Sequence, residues 1–229
     1  MDIRDEFLGR IVHGRSFAEV GGLWGIVNEK VSVALQAGAA SATMIDVTLP
    51  DAELWVAFRQ RIAEFGLPPA AEIARDVCSL AQEPDGPTFD VLHCSGVVYH
   101  HPSPLVLLLA MRKLTREFLV LTSAVQQEEI ENRHGHFTMP PSGVLFVPAL
   151  NPEERLILST YWRENAGVES CLGISEPVPW DARDFGPWWW LPTPRALAAW
   201  CESCDFTLVA QAPSWNGNAC TLLLRAGRA

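Results

Sequence analysis

Across the first 123 residues, short apolar runs alternate with segments of helical period, and no other feature narrows the accessible folds as much. Ser16–Val20 reads as a strand entering a glycine-rich turn and then an amphipathic helical stretch, Gly25–Ala37. Ala42–Val47 is a second buried strand. In Asp51–Phe65, Trp55, Phe58, Ile62 and Phe65 recur at spacings of three, four and three, which puts them on one helical face. Asp51 is the expected N-cap of that helix and Gly66 its stop. Ala71–Arg75, Phe89–Cys94 and Glu117–Ser123 read as three more strands, with a helix over Pro104–Arg116. Strands separated by helices require crossover connections, hence a parallel α/β sheet covered on both faces.

The rhythm breaks after Ser123. Residues 124–190 contain many prolines, the run Arg133, His134, Gly135, His136, and one strong helix whose Asn151 cap, Pro152 and following Glu153 and Glu154 suit a helix start. Alternation returns with a helix at Pro194–Cys204 and strands near Phe206–Ala210 and Cys220–Leu224, which lie close enough in sequence to pair antiparallel. The expectation is one domain over 1–229, a seven-stranded sheet with a lid-sized insertion, 124–190, between strands five and six.

Composition sets the partners. Apolar residues make up 48 %, enough for a core, and 27 acidic against 17 basic side chains give a formal charge of −10. Phosphate backbones and anionic membranes call for the opposite sign, and Arg112, Lys113 and Arg116 read as one solvated helix face. Nucleic acid and membrane are therefore not expected partners. Met1–Leu8 is acidic with no signal-peptide pattern, and Leu105–Met111 is too short to span a bilayer, so a cytoplasmic chain is expected. Six scattered cysteines, with Cys201 and Cys204 the only close pair, read as reduced thiols.

Ligands of open α/β sheets bind at the carboxyl ends of the strands, where strand order reverses. Here the first strand ends in Glu19, Gly21, Gly22, Trp24 and Gly25, a turn that lets a ligand approach backbone amides. The second ends in Asp46, suited to accept from two ribose hydroxyls, and the third in Asp76, suited to an adenine amino group. The fourth delivers Cys94, Ser95 and Gly96, then Tyr99, His100 and His101. The blander reading is a set of ordinary strand-terminal turns. A nicotinamide fingerprint fails in both frames, because residues 23, 24, 26 and 27 are Leu, Trp, Ile and Val.

On EVGGLWG (19–25), MIDV (44–47), Asp76, FDVLHCSGVVYHHPSP (89–104) and WWWLPTPRAL (188–197), the chain resembles the class I S-adenosylmethionine-dependent methyltransferases of small-molecule type. The resemblance implies a Rossmann-like, mostly parallel seven-stranded sheet with a reversed last strand. It implies S-adenosylmethionine as cofactor and S-adenosylhomocysteine as product. Glu19, Gly21 and Gly25 would border the methionine part, Asp46 would hold the ribose, Asp76 with Val77 the adenine, and Cys94, Ser95 and Gly96 would line the far wall; Gly22, Trp24 and Val47 would also be cofactor-binding. One departure stands out: Leu23 takes the place of the family's central glycine.

Methyl transfer to a hydroxyl needs alignment, exclusion of water and a base. His100 is the first candidate, against a role in fixing its loop. His101 and His136 follow. Tyr99, His134, Tyr161, Trp188 and Trp189 could line the acceptor pocket, the tryptophans alternatively anchoring the insertion onto the sheet. No third ligand accompanies His134 and His136, so no metal is expected. His13 or Arg15, ahead of the first strand, could meet the cofactor's carboxylate, or the two could form an ordinary solvated face. The expected activity is methyl transfer to oxygen or nitrogen of a metabolite. The alternative is a cofactor-binding protein of the same fold that transfers nothing.

Overall fold

The computed structural model describes residues 2–227. Seven strands form one sheet: β1 (Ser16–Val20), β2 (Ser41–Asp46), β3 (Ala71–Ala74), β4 (Phe89–Ser95), β5 (Thr115–Ala124), β10 (Phe206–Ser214) and β11 (Ala219–Ala226). Their spatial order is β3-β2-β1-β4-β5-β11-β10. Neighbours from β3 through β5 are parallel, and β11 runs antiparallel to both β5 and β10. The sheet is therefore mostly parallel, with its last strand in sequence reversed. Strand order turns back between β1 and β4, so their carboxyl ends open the crevice where such sheets hold ligands.

Alternate side chains of the strands feed two cores. On one face α1 (Ile3–Ile11), α2 (Val31–Gln36) and α3 (Glu53–Glu64) bury Phe7, Leu8, Val31, Trp55 and Phe58 against Phe17, Met44, Val91 and Val120. On the other, α4 (Val77–Leu80), α5 (Pro104–Leu114) and α7 (Pro194–Ser203) bury Leu107, Met111, Leu197 and Cys201 against Val20, Leu92, Leu121 and Leu222. All six cysteines are free thiols.

Several sequence expectations shift. α1, unremarked in the sequence, is a helix capped by Asp2, whose side chain accepts from the Arg4 amide. The stretch expected to be helical from Gly25 is a loop with a 3-10 turn at Ile26–Asn28, and α2 begins only at Val31. Two carboxylates set the helix start there: Glu19 reaches up from β1 and takes the Lys30 and Val31 amides, and Glu29 takes the Ser32 amide at 2.9 Å. Ala52, not Asp51, is the N-cap of α3, and Phe65 beyond its end is exposed under the Arg61 guanidinium. Arg116 is not on a helix with Arg112 and Lys113. The helix stops at Leu114, and Arg116 sits on β5 paired with Asp90, while Arg112 pairs with Asp205.

Between β5 and α7 the chain adds a third core. It comprises the hairpin β6 (Glu129–Asn132)/β7 (Gly135–Thr138), the antiparallel pair β8 (Val144–Phe146)/β9 (Trp190–Pro192), and α6 (Pro152–Ala166). Asn151 and Glu154 close a capping box at the start of α6, and Gly167 ends it in the left-handed region. Trp162, Trp188, Ile157 and Leu191 are buried here together with Tyr99 and Ala124 of the main body. The Trp189 amide donates to the Tyr99 carbonyl at 2.8 Å, and the Tyr161 hydroxyl meets Asn218 Oδ1 at 2.6 Å.

At the opposite, amino end of the sheet, Asp90 staples β4 to β1. One oxygen accepts from the Ser16 amide and hydroxyl at 2.9 and 2.8 Å, the other from Arg116 Nε at 2.7 Å. The Arg116 hydrogen bond is the main reason its carboxyl is lowered to about 2. The staple is therefore complete above the ordinary value of 3.8 and is lost as pH falls toward about 2. Asp90→Ala should lower stability by about 1–3 kcal/mol at pH 7, read by urea unfolding, with the difference from wild type shrinking below pH 3.8.

Candidate functional site

Glu19 sits at the root of the crevice and is 2 % exposed. Its Oε2 accepts from the Lys30 and Val31 amides at 2.6 and 3.2 Å, and its Oε1 faces His93 Nδ1 of β4 at 3.1 Å. The glycine turn rests on this carboxyl. A Cβ on Gly22 would lie 2.6 Å from Glu19 Cδ and 2.7 Å from Met44 Cε, while one on Gly21, at φ +76°, would lie 2.5 Å from Val97 Cγ2. Leu23 drops into the core and is fully buried, whereas Trp24 is 82 % exposed and Gly25 has open space where a Cβ would be. Neither Leu23 nor Trp24 fills the crevice.

Asp46, at the end of β2, is 4 % exposed. Oδ1 accepts from the Thr48 amide and hydroxyl at 2.9 and 2.7 Å, and Oδ2 has only the distant Leu23 amide at 3.4 Å. That second oxygen keeps accepting capacity toward the glycine turn. Val47 beside it is exposed. Asp76 caps α4 by accepting from the Ser79 amide at 2.8 Å, and Val77 behind it is buried. Cys94 is buried in the core between the sheet and α5, and burial pushes its thiol far up. Ser95 and Gly96 continue β4 to the crevice, Gly96 at φ +79°.

Two basic side chains that the sequence did not single out also converge here. Arg4 Nη1 donates to Ser95 Oγ at 3.2 Å, and Lys30 Nζ meets Asp2 and Asp5 at 2.9 and 2.6 Å. Burial works against the Asp2 carboxylate, but hydrogen bonds from Arg4 and Lys30 hold it well below the usual range. The apolar spacing of Ile3, Phe7, Leu8 and Ile11 was the available signal for this helix. By contrast His13 packs against Gly38, and Arg15 pairs with Glu117 at the amino end of the sheet. The expectation that either meets a ligand at the carboxyl ends is corrected: a residue preceding a strand lies at the wrong end of it.

On the fourth side stand Tyr99, His100 and His101. The Tyr99 hydroxyl reaches to 3.8 Å from the Cβ position of Gly96, and the ring packs on Trp188 at 4.7 Å between centroids. His100 Nδ1 lies 3.2 Å from the Pro187 carbonyl. A carbonyl only accepts, so the proton is on Nδ1 and Nε2 carries the lone pair. Burial lowers the His100 pKa below the ordinary 6.5. His101 has the opposite tautomer: its Nδ1 accepts from the Ser103 amide at 3.0 Å, leaving Nε2–H toward Cys78 Sγ at 3.8 Å. His101 stacks with Phe185, and Asp76 acts on it electrostatically.

The insertion residues divide. Trp188 and Trp189 are buried, Trp188 between Tyr99 and Trp162, Trp189 against Trp180. Tyr161 ties α6 to Asn218. His134 lies in the β6–β7 turn with its amide on Asn132 Oδ1, and His136 on β7 is exposed with Nε2 at 3.1 Å from Glu129. Gly22→Ala should lower thermal stability by about 1–3 kcal/mol, because Met44 Cε can yield but Glu19 is tethered on both oxygens. An unchanged unfolding midpoint would show that the turn does not rest on Glu19.

No family model and no curated protein matches the chain. Solved structures do. A possible exported protein of Bordetella parapertussis is similar at 15 % identity over 99 % of this chain, TM-score 0.61, and this chain spans 66 % of that one. Magnesium protoporphyrin IX methyltransferase from Synechocystis PCC 6803, with bound S-adenosylhomocysteine, is similar at 11 % identity over 98 % of this chain and 82 % of its own, TM-score 0.59. The Burkholderia thailandensis 1,6-didemethyltoxoflavin N1-methyltransferase, with both ligands bound, follows at 13 % over 98 % and 79 %, TM-score 0.56. With this strand order, one reversed strand and these neighbours, the chain has the class I S-adenosylmethionine-dependent methyltransferase fold.

Proposed function

We propose that this protein binds S-adenosylmethionine and methylates oxygen or nitrogen of a small molecule enclosed beneath residues 124–190, the whole of 1–229 acting as one methyltransferase domain. The observation that carries the reading is convergence. Four adjacent parallel strands end in Glu19 with its glycine turn, Asp46, Asp76 and Ser95-Gly96, around the point where strand order reverses. The two neighbours with S-adenosylhomocysteine bound support the same cofactor here.

The residues present fit that group. Asp46 Oδ2, with one weak internal donor, would accept from the ribose, and Asp76, with one oxygen spent on Ser79, would take the adenine amino group. The crowding at Gly21 and Gly22 keeps side chains out of the path along the turn, and Arg4 adds a cation on that side. When bound, S-adenosylmethionine supplies an electrophilic sulfonium methyl; the chain must orient an acceptor, exclude water and hold a proton.

For the proton we assign His100 rather than His101. His100 Nδ1–H is anchored on the Pro187 carbonyl, which leaves the ring's lone pair on Nε2. His101 has its Nε2 protonated and its Nδ1 engaged. The exposed His136 on Glu129 has no part in this assignment, and no metal does either. Trp188 and Trp189 serve as anchors of the cap that also wall the acceptor space, with the Tyr99 ring packed on Trp188. The net charge of −10 supports a metabolite over nucleic acid or membrane. No helix of the described residues is long and apolar enough to cross a membrane.

Two measurements test this. Asp46→Ala should weaken S-adenosylhomocysteine binding in calorimetry by about 1–3 kcal/mol, and unchanged affinity removes the ribose assignment. Methyl transfer to a metabolite extract should fall roughly 10²–10⁴-fold in His100→Ala with cofactor affinity nearly intact. Because burial lowers the His100 pKa, its basic form persists to acid, so the wild-type rate should fall only below pH 6.5. A wild-type protein that binds S-adenosylmethionine and transfers nothing across broad extracts would leave the binding-only alternative.

A further inference from the structure

We infer that His93 is a positioning residue for the cofactor site, holding the Glu19 carboxyl from β4 so that the glycine turn and the start of α2 take the shape a bound cofactor requires. This rests on the reading above that the crevice binds an adenosyl cofactor. His93 is fully buried on a central strand, in register with Glu19 of β1 and Val120 of β5. The surroundings are apolar: Val91, Val120, Met44 and Phe17 belong to the same core. An imidazole here is costly to fold, since Nε2 is buried with no hydrogen-bond partner among the described residues. Leucine would fill such a place without that cost.

Among the described residues the only polar contact of the ring is Nδ1 to Glu19 Oε1 at 3.1 Å. The Nδ1–H tautomer therefore donates to a carboxyl whose other oxygen sets the Lys30 and Val31 amides at 2.6 and 3.2 Å. Gly22 lies against the same carboxyl group, and Leu23, next in the chain, reaches Asp46. One contact on β4 thus fixes a group that touches both ends of the loop from residue 21 to residue 31. Two residues further along β4, on the same face, Ser95 receives Arg4 from α1. The imidazole touches no reacting atom, so its effect is on the geometry of the turn.

The test compares His93→Asn, His93→Gln and His93→Leu. Asparagine places an N–H where histidine has Nδ1; glutamine reaches toward the Nε2 position, and leucine donates nothing. Calorimetric titration with S-adenosylhomocysteine, alongside thermal unfolding, should find Asn within about threefold of wild type. Gln and Leu should be weakened about tenfold or more while remaining folded. A folded Leu variant that binds as tightly as wild type overturns the positioning role, whereas a folded wild type that fails to bind overturns the cofactor reading beneath it. Should Gln and Leu not fold, ¹⁵N spectra of the wild type decide. The His93 Nδ1–H signal and the Lys30 and Val31 amides should all shift on adding S-adenosylhomocysteine, and unmoved signals overturn the inference.

Discussion

A buried carboxyl at the junction of the two central strands organises this molecule. Glu19 stands where strand order reverses, takes two amides at the start of α2, supports Gly22 and faces His93 across the sheet. Each partner answers a requirement of burial: an acidic group removed from water must find donors nearby, and backbone amides at a helix start have no acceptors within the helix. Satisfying both at once ties β1, β4 and α2 together at the mouth of the crevice. The loop between Gly21 and Lys30 is free to be irregular because its two ends are held.

The inserted core extends that logic to the far side of the crevice. Its tryptophans pack on one another and on Tyr99, and its chain is pinned to the loop after β4 by Trp189 on the Tyr99 carbonyl and Pro187 on His100. The same contact that steadies the insertion selects the His100 tautomer. Its neighbour His101, one residue on, takes the other tautomer because the Ser103 amide approaches its Nδ1. Two adjacent histidines are thus made chemically different by backbone groups alone.

Much of the fold is legible along the chain. Parallel strands buried on both faces must be apolar nearly throughout, so β1, β2, β4 and β5 announce themselves, and the acidic or glycine residues closing them mark where the crevice lies. The capping box of α6 is local chemistry and was readable for that reason. The start of α2 was not: Glu29 just ahead of it takes the Ser32 amide, but the Lys30 and Val31 amides are taken by a carboxyl that comes from a strand. Of the two readings of Arg15, the surface one holds, because strand direction decides which end of the sheet a flanking residue occupies. Arg4 and His93 escaped notice because each acts across the sheet, through partners tens of residues away.

The order of residues by itself determined the α/β class, the reversed final strand and the acidic and glycine residues at the strand ends, all of which follow from hydrophobic period and from short-range turn chemistry. Only the folded chain decided which nitrogen of each histidine carries a proton, that Leu23 turns inward while Trp24 faces solvent, and which cations stand over the crevice. Those properties depend on groups brought together from distant segments. Burial and hydrogen-bond partners act through distance in space, and spacing along a chain does not encode that distance.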